Sequence, residues 1–323
     1  MKHYQLRALV AVADQGSIRG ASRALFLSQP AVTKAIRELE NELGMLLLER
    51  QSNGAVLTAE GKILLERAKM IVREFERAEH EMNMLKGRND GKIVVGVTPL
   101  AGLTIMPHAF VAFREAWPEV ELSFQEYTAG QIYNDLKNGT LDFAVGTLPH
   151  GGTEYPGRHT ELISLPTSFA VRKSSPLAGC TRLIELQEAE WLHTDTSGQF
   201  VRFLTNLFAQ RGLERPRRIT RCASQSLFYS LSLHADVVIF WSQHSLGFPV
   251  LNEQFQSLQL NEILPELKLS LMLREESLLT RSAEYFIRCV REVAAREAEI
   301  LSRKFSDMLS VSRTNQRENG RHP

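Results

Sequence analysis

Between Leu64 and Leu85 the apolar residues Leu64, Ala68, Ile71, Phe75, Ala78, Met82 and Leu85 recur with the spacing 4-3-4-3-4-3. A seam of that period belongs to a helix that pairs with another helix. Thr58 stands just before it as an N-cap, Glu60 lies in its first turn, and after Pro30 the next proline is Pro99. Nothing local therefore stops a helix over 59–86. At 1.5 Å per residue it would be about 42 Å long. The residues before it are too few to cover so long a stripe. Leu64, Ala68, Ile71, Phe75, Ala78 and Met82 are accordingly read as a dimerisation face. The segment 59–90 is read as a linker helix that ends in a hinge at Gly87-Arg88-Asn89-Asp90-Gly91.

Upstream, residues 1–58 carry short helical patterns. Leu6, Leu9, Val10 and Ala13 recur at three and four before Gly16, and Ile18–Leu27 places Ala21, Ala24 and Leu25 inward, small residues that permit close helix crossing. Ser28 caps a third helix with Gln29-Pro30 in its first turn, Val32, Ile36, Leu39 and Leu43 on its buried side, and Gly44 at its end. Ser52-Asn53-Gly54 between apolar runs signals a hairpin. Three short helices and a hairpin predict a winged helix-turn-helix. On the third helix Gln29, Thr33 and Arg37 fall at i, i+4 and i+8, opposite the apolar side, with Lys34 beside them. Amide, hydroxyl and cation are the groups that read base edges and hold phosphates. Glu38, Glu40 and Glu42 fall toward the far end, so the N-terminal half is expected to enter a major groove, with Arg50 on the wing. Overall charge adds nothing: 38 Lys+Arg against 37 Asp+Glu leave +1, so a nucleic-acid partner must be met by a local patch.

Beyond residue 91 strands alternate with helices. The pattern places strands at 93–97, 120–124, 143–146, 169–172, 219–222, 237–241 and 268–273. Helices are placed at 103–116, 130–138, near 199–211, near 225–234, and at 279–304. Strand-helix alternation implies parallel sheets with right-handed crossovers. The fold class is thus α plus α/β, with an effector domain over 91–309. One lobe spans about 91–165 with 268–309 and a second about 166–267, with crossings near 147–152 and near 268. The polar tail 310–323 lacks periodicity and is expected to be disordered. Ligands of such sheets sit at strand C-terminal ends near helix N-termini. Thr98, Leu100, Thr128, Thr147, Thr196, Ser197 and Ser224 occupy those ends, with Arg202 one turn further in. The hydroxyls that dominate this set, Leu100 aside, point to a small polar effector, with a carboxylate expected.

Enzyme signatures are missing: no phosphate-binding loop, no G-x-G-x-x-G after a strand and no G-x-S-x-G elbow occur. No catalytic residue, cofactor or metal is expected, because Cys180, Cys222 and Cys289 are far apart and form no Cys/His cluster. His150, His193 and His234 are read as solvated, packed or capping. The runs 222–235 and 237–252 are too short and polar to span a membrane, and the N-terminus has no apolar signal core, so a cytoplasmic protein without a membrane partner is expected. The rival reading is a solute-binding or enzymatic α/β domain whose helical head serves only assembly.

Gly16-Ser17-Ile18, Ala21, Leu25, the run Leu27-Ser28-Gln29-Pro30-Ala31-Val32-Thr33, and Ile36-Arg37-Glu38-Leu39-Glu40 resemble the head of LysR-type transcriptional regulators. So do Leu43-Gly44, Leu47-Leu48-Glu49-Arg50 and Leu57-Thr58-Ala59-Glu60-Gly61. Asn138-Gly139-Thr140-Leu141-Asp142-Phe143 ahead of Gly146 resembles that family's two-lobed, periplasmic-binding-protein-like co-inducer domain. Within the family, Ser17-Ile18-Arg19-Gly20-Ala21-Ser22-Arg23 is most similar to the subgroup that regulates p-aminobenzoyl-glutamate utilisation. The resemblance implies a DNA-reading set of Ser28, Gln29, Pro30, Thr33, Lys34, Arg37, Arg50 and Asn53. Asn53 stands where the family's wing often carries an arginine. It also implies double-stranded promoter DNA as partner, a small-molecule effector, a homodimer within a homotetramer, and contact with RNA polymerase if the protein is an activator.

Overall fold

The computed structural model describes residues 1–51, 54–86, 91–127, 131–148, 157–196, 198–247 and 249–319, with backbone alone at 50, 51, 249, 250 and 304–319. Asn53, Thr128, Ser197, the Arg50 side chain and the hinge residues 87–90 lie outside the described residues. The chain packs as two compact units, Met1–Val94 with Glu119–Glu121 and Asn134–Asp142, and Val95–Pro118 with Leu122–Tyr133 and Phe143–Pro323.

The first unit opens with α1 (His3–Gln15), α2 (Ile18–Ala24), α3 (Gln29–Leu43), the strands β1 (Leu48–Gln51) and β2 (Gly54–Leu57), and α4 (Ala59–Leu85). Local chemistry explains each boundary. Gly16 and Gly44 end α1 and α3 at φ +66° and +67°, a left-handed conformation costly for other residues. Ser17 Oγ accepts from Gly20 N–H at 3.0 Å and Ser28 Oγ from Ala31 N–H at 3.3 Å. β1 and β2 form the wing as an antiparallel pair from Leu48↔Leu57 to Gln51↔Gly54. Thr58 Oγ1 caps Gly61 N–H at 2.9 Å and donates to Leu46 O at 2.8 Å. A Cβ on Gly61 would lie 2.1 Å from Leu47 O, so only glycine fits there.

α4 serves two purposes. Ala68 (fully buried) and Val72 belong to the core built by Leu9, Val12, Val32 and Leu39, and Leu64 packs against it. The proposed pairing face is corrected accordingly: Leu64 and Ala68 are committed to the head, while Ile71, Phe75, Ala78 and Met82 are exposed. A spacing of three and four marks a buried helix face without saying whose core buries it. Further along α4, Arg77 donates through Nε (3.0 Å) and Nη2 (2.6 Å) to Asp142 Oδ1, and Arg73 Nη2 donates to Oδ2 at 3.1 Å. The Val94 amide donates to the same Oδ2 at 2.7 Å. The Asp142 carboxylate, 4 % exposed, is thereby saturated with donors.

Next come β3 (Gly91–Val97), α5 (Pro99–Leu103), α6 (Met106–Ala116), β4 (Val120–Glu126), α7 (Ile132–Lys137), β5 (Phe143–Thr147) and β6 (Arg158–Leu165). The chain continues through β7 (Thr167–Arg172), β8 (Glu190–His193), α8 (Gln199–Ala209), β9 (Arg218–Arg221), α9 (Gln225–His234) and β10 (Val237–Ser242). It closes with α10 (Gln243–Leu246), α11 (Pro249–Asn252), β11 (Phe255–Ser257), β12 (Leu267–Leu273) and α12 (Arg281–Asn319).

Two five-stranded sheets result, ordered β4-β3-β5-β12-β6 and β11-β7-β10-β8-β9. Both are mixed rather than parallel. β3 pairs parallel with β5, and β8 with β9 and β10, while β12 runs antiparallel to β5 and β6, and β7 to β10 and β11. The expected second crossing near 268 matches the entry to β12. The first falls at Pro166, not at 147–152, because 158–165 pairs with β12 in the first sheet. β6 escaped notice since its first half, Arg158–Glu161, is polar and exposed. The closing helix reaches Asn319 rather than ending near 304, and no glycine or proline interrupts 281–319; residues 320–323 of the expected tail lie outside the described residues. No described helix is long and apolar enough to cross a membrane.

Candidate functional site

Two regions concentrate the predicted residues. On α3, Ser28, Gln29, Pro30, Lys34 and Arg37 are exposed and Thr33 is half-buried, while Val32, Ala35, Ile36 and Leu39 face the core. Gln29, Pro30, Thr33, Lys34 and Arg37 line one open surface depression together with Glu38 and Asn41. The placement of Glu38 corrects the expectation that all three glutamates sit away from this face. Each is nevertheless engaged within the head. Glu38 Oε2 accepts from the Tyr4 hydroxyl at 2.6 Å, which lowers the glutamate pKa and raises that of the phenol. Glu40 Oε1 accepts from Leu47 N–H (2.8 Å) and Leu48 N–H (3.2 Å), and Glu42 pairs with the Met1 amino group. Lys34 Nζ lies 3.9 Å from Glu38 Oε1 with its side chain 78 % exposed, a surface pair of little strength. Arg37 has no such partner on the face.

Sequence reasoning passed over Phe26. It lies in the turn between α2 and α3 at φ +55°, the sole non-glycine residue with positive φ among the described residues, and it is 95 % exposed. A bulky residue in that conformation is strained.

The second region is a cavity of about 300 Å³ in the effector domain. Of the expected residues, Thr98, Leu100, Thr147 and Thr196 line it. Thr98 Oγ1 accepts from Thr147 N–H at 3.4 Å, and a Cβ on Gly146 would sit 2.5 Å from Thr98 Cγ2, so glycine keeps the two strand ends together. Ser224 does not line the cavity. Its Oγ caps α9 by accepting from Leu227 N–H at 3.4 Å, while its neighbours Ala223 and Gln225 face the cavity. Arg202 is also absent from the lining.

The walls are aromatic, which the sequence did not disclose: Phe200, Phe203, Phe228, Phe240 and Trp241 face the space. Phe203 and Phe240 lie 5.4 Å apart between ring centroids, and His193 stacks on Phe200 at 4.8 Å. Apolar residues at 200, 203 and 204 of an amphipathic helix read as ordinary core. His193 is 7 % exposed, and its Nδ1 is buried without a hydrogen-bond partner. Burial pushes this imidazole below its usual pKa, against the opposing pull of Asp195. Asp195 Oδ2 accepts from Phe200 N–H at 2.9 Å and so occupies the N-terminus of α8. Among the described lining residues two are carboxylates, Glu126 and Asp195, and none is lysine or arginine.

Residues 3–62 match the family model for the bacterial regulatory helix-turn-helix protein, lysR family, and residues 86–295 match the LysR substrate binding domain. The HTH-type transcriptional regulator TdcA of Escherichia coli strain K12 is 27 % identical over 286 residues, covering 88 % of this chain and 90 % of TdcA. The crystal structure of CbnR, a LysR family transcriptional regulator, superposes with a TM-score of 0.65 at 23 % identity over 91 % of this chain and 99 % of CbnR. Full-length CbnR complexed with its target DNA gives 0.64 at 22 % identity over 91 % of this chain and all of that one. These structures share the fold: helix-turn-helix head, long helix and two-lobed domain. The chain belongs to the LysR family and is a DNA-binding transcriptional regulator with a ligand-binding effector domain.

Proposed function

We propose that this regulator reads a promoter half-site through Gln29, Thr33, Lys34 and Arg37, and that a small molecule in the aromatic cavity changes its promoter binding or activation. Ser28 and Pro30 set the start of the reading helix, with Arg50 and Asn53 on the wing. The single observation that carries the DNA reading is the face of α3. Gln29, Lys34 and Arg37 are exposed beside the half-buried Thr33, and Glu38, Glu40 and Glu42 are each tied to a partner inside the head. Two copies would pair through Ile71, Phe75, Ala78 and Met82, giving a homodimer and, by the family resemblance, a homotetramer on a partly palindromic site. A cytoplasmic location follows from a DNA target, and contact with RNA polymerase follows if the protein activates.

The test is a salt-titrated binding assay with promoter fragments. Specific binding that weakens steeply with salt is expected, because each neutralised phosphate releases counterions. Absence of any sequence preference would reject the reading. Membership of the p-aminobenzoyl-glutamate subgroup rests on Ser17–Arg23. The aromatic walls suit a p-aminobenzoyl ring, whereas the glutamate carboxylates of such a ligand would meet Glu126 and Asp195.

A further inference from the structure

The hydroxyl-bearing strand ends suggest a carboxylate effector; the charged side chains lining the cavity are themselves carboxylates. We propose that the cavity selects a small aromatic molecule bearing an ammonium or similar cationic donor, held between the rings and the acceptors Glu126, Asp195 and His193. The proposal rests on the reading of this cavity as the effector site and names the chemistry it would take.

Four observations support it. First, Glu126 and Asp195 line the space and no described lysine or arginine does, so a bound carboxylate would face like charge without a counter-ion. Second, the N-terminus of α8, the natural place for an effector anion, is already taken by the protein's own Asp195 carboxylate through Phe200 N–H. The corresponding place on α9 is closed by Ser224 Oγ. Third, the buried Nδ1 of His193 has no partner. A neutral imidazole offers one acceptor nitrogen, and a ligand N–H would satisfy it. Fourth, Phe203, Phe240 and Trp241 line the space, and aromatic rings attract cations, tryptophan most strongly. At about 300 Å³ the volume is at the lower end for small-molecule sites, enough for one ring with a short side chain.

The experiment is calorimetry on the full-length protein with three matched probes: 2-phenylethylamine, 2-phenylethanol and 3-phenylpropionate. The amine should bind more tightly than the alcohol, and the acid least. Glu126 is exposed at the end of β4, so Glu126→Gln should fold normally. It should weaken the amine roughly three- to tenfold, as a partly solvated ion pair would, and leave the alcohol unchanged. His193→Leu should weaken the amine and, to a lesser degree, the alcohol, whose hydroxyl can also donate to an imidazole nitrogen. Phe203→Ala should weaken all three, which locates them in the cavity. Acid binding as tight as amine binding, or amine affinity indifferent to Glu126→Gln, overturns the ligand class. If the acid wins and Phe203→Ala abolishes it, the effector site stands and only its chemistry is wrong. If probes bind but ignore Phe203→Ala, both the ligand class and the cavity reading fall. Failure of the amine to bind at millimolar concentration overturns the proposal.

Discussion

The two working surfaces of this molecule are opposites. The face of α3 is open, polar and built from one continuous run of 15 residues. The cavity is concave and aromatic, and its lining comes from segments as far apart as Thr98 and Leu267. The head silences its own acids, tying Glu38, Glu40 and Glu42 to Tyr4, to the Leu47 and Leu48 amides and to the chain's amino group. The cavity instead keeps carboxylates in its lining. A surface that meets a rigid polyanion gains from hiding negative charge, because the partner's phosphates dominate affinity. A pocket for a small molecule gains from a few polar groups set against apolar walls.

The sharpest way to break the comparison is to remove the second copy that the head is expected to need. Ile71→Glu with Phe75→Glu puts charges on the exposed half of α4 without touching Ala68 or Val72 in the head core. Sedimentation should report loss of the dimer, and operator affinity should fall on the order of 100-fold or more as the linked second half-site is lost. An unchanged sedimentation coefficient would assign pairing to another surface.

Within α3 the expected effects are smaller and separable. Gln29→Ala should cost about 1–3 kcal/mol at one base position if its amide pairs with adenine. Lys34→Ala should weaken all sequences alike and reduce the salt slope by about one. Footprints that keep full sequence preference in Gln29→Ala would move base reading elsewhere on the helix.

Phe26→Asn sharpens the contrast in stability rather than binding. Asparagine tolerates positive φ better than phenylalanine, so relief of backbone strain should stabilise the head by about 1 kcal/mol. A lower melting temperature would mean that the phenyl ring contributes packing which its 95 % exposure conceals.

The smallest effect belongs to the cavity. Burial holds His193 neutral below the usual imidazole value of about 6.5. Between the folded and unfolded pKa values the unfolded chain binds more protons, so stability rises with pH across that window. It is full above about pH 6.5 and declines as pH falls toward the folded value. Urea melts in wild type and His193→Gln should show a shallower decline in the variant. Identical profiles would show that the Asp195 carboxylate, which opposes burial and the Arg221 charge, cancels their joint effect on this ring.

Legibility in the sequence followed the distance between cooperating residues. The head was readable because its determinants are local. Ser28 caps three residues ahead, Thr58 caps Gly61, and Gly61 is required by Leu47 O. The helix over 59–85 was equally plain, yet its stripe proved to be shared between the head core and an exposed face, a division that periodicity does not encode. In the effector domain Thr98 and Thr147 were found, since each closes a run of apolar residues, and Thr196 was found just ahead of a helix. The aromatic walls were not, because Phe200 and Phe240 look like core until the fold brings them round a space. The sign of the cavity was missed for a related reason. Glu126 sits at the end of β4 and Asp195 just before α8, and neither position announces its neighbour.

Asp142 carries a mechanical consequence. It precedes β5, a five-residue strand whose last member, Thr147, lines the cavity. At roughly 3.3 Å per residue that strand is a tie-rod about 16 Å long. Its near end is fastened by two arginines on successive turns of α4 and by the Val94 amide. Extended backbone pleated into a sheet scarcely stretches. If a molecule in the cavity changes promoter binding, linkage requires promoter DNA to change that molecule's affinity by the same factor.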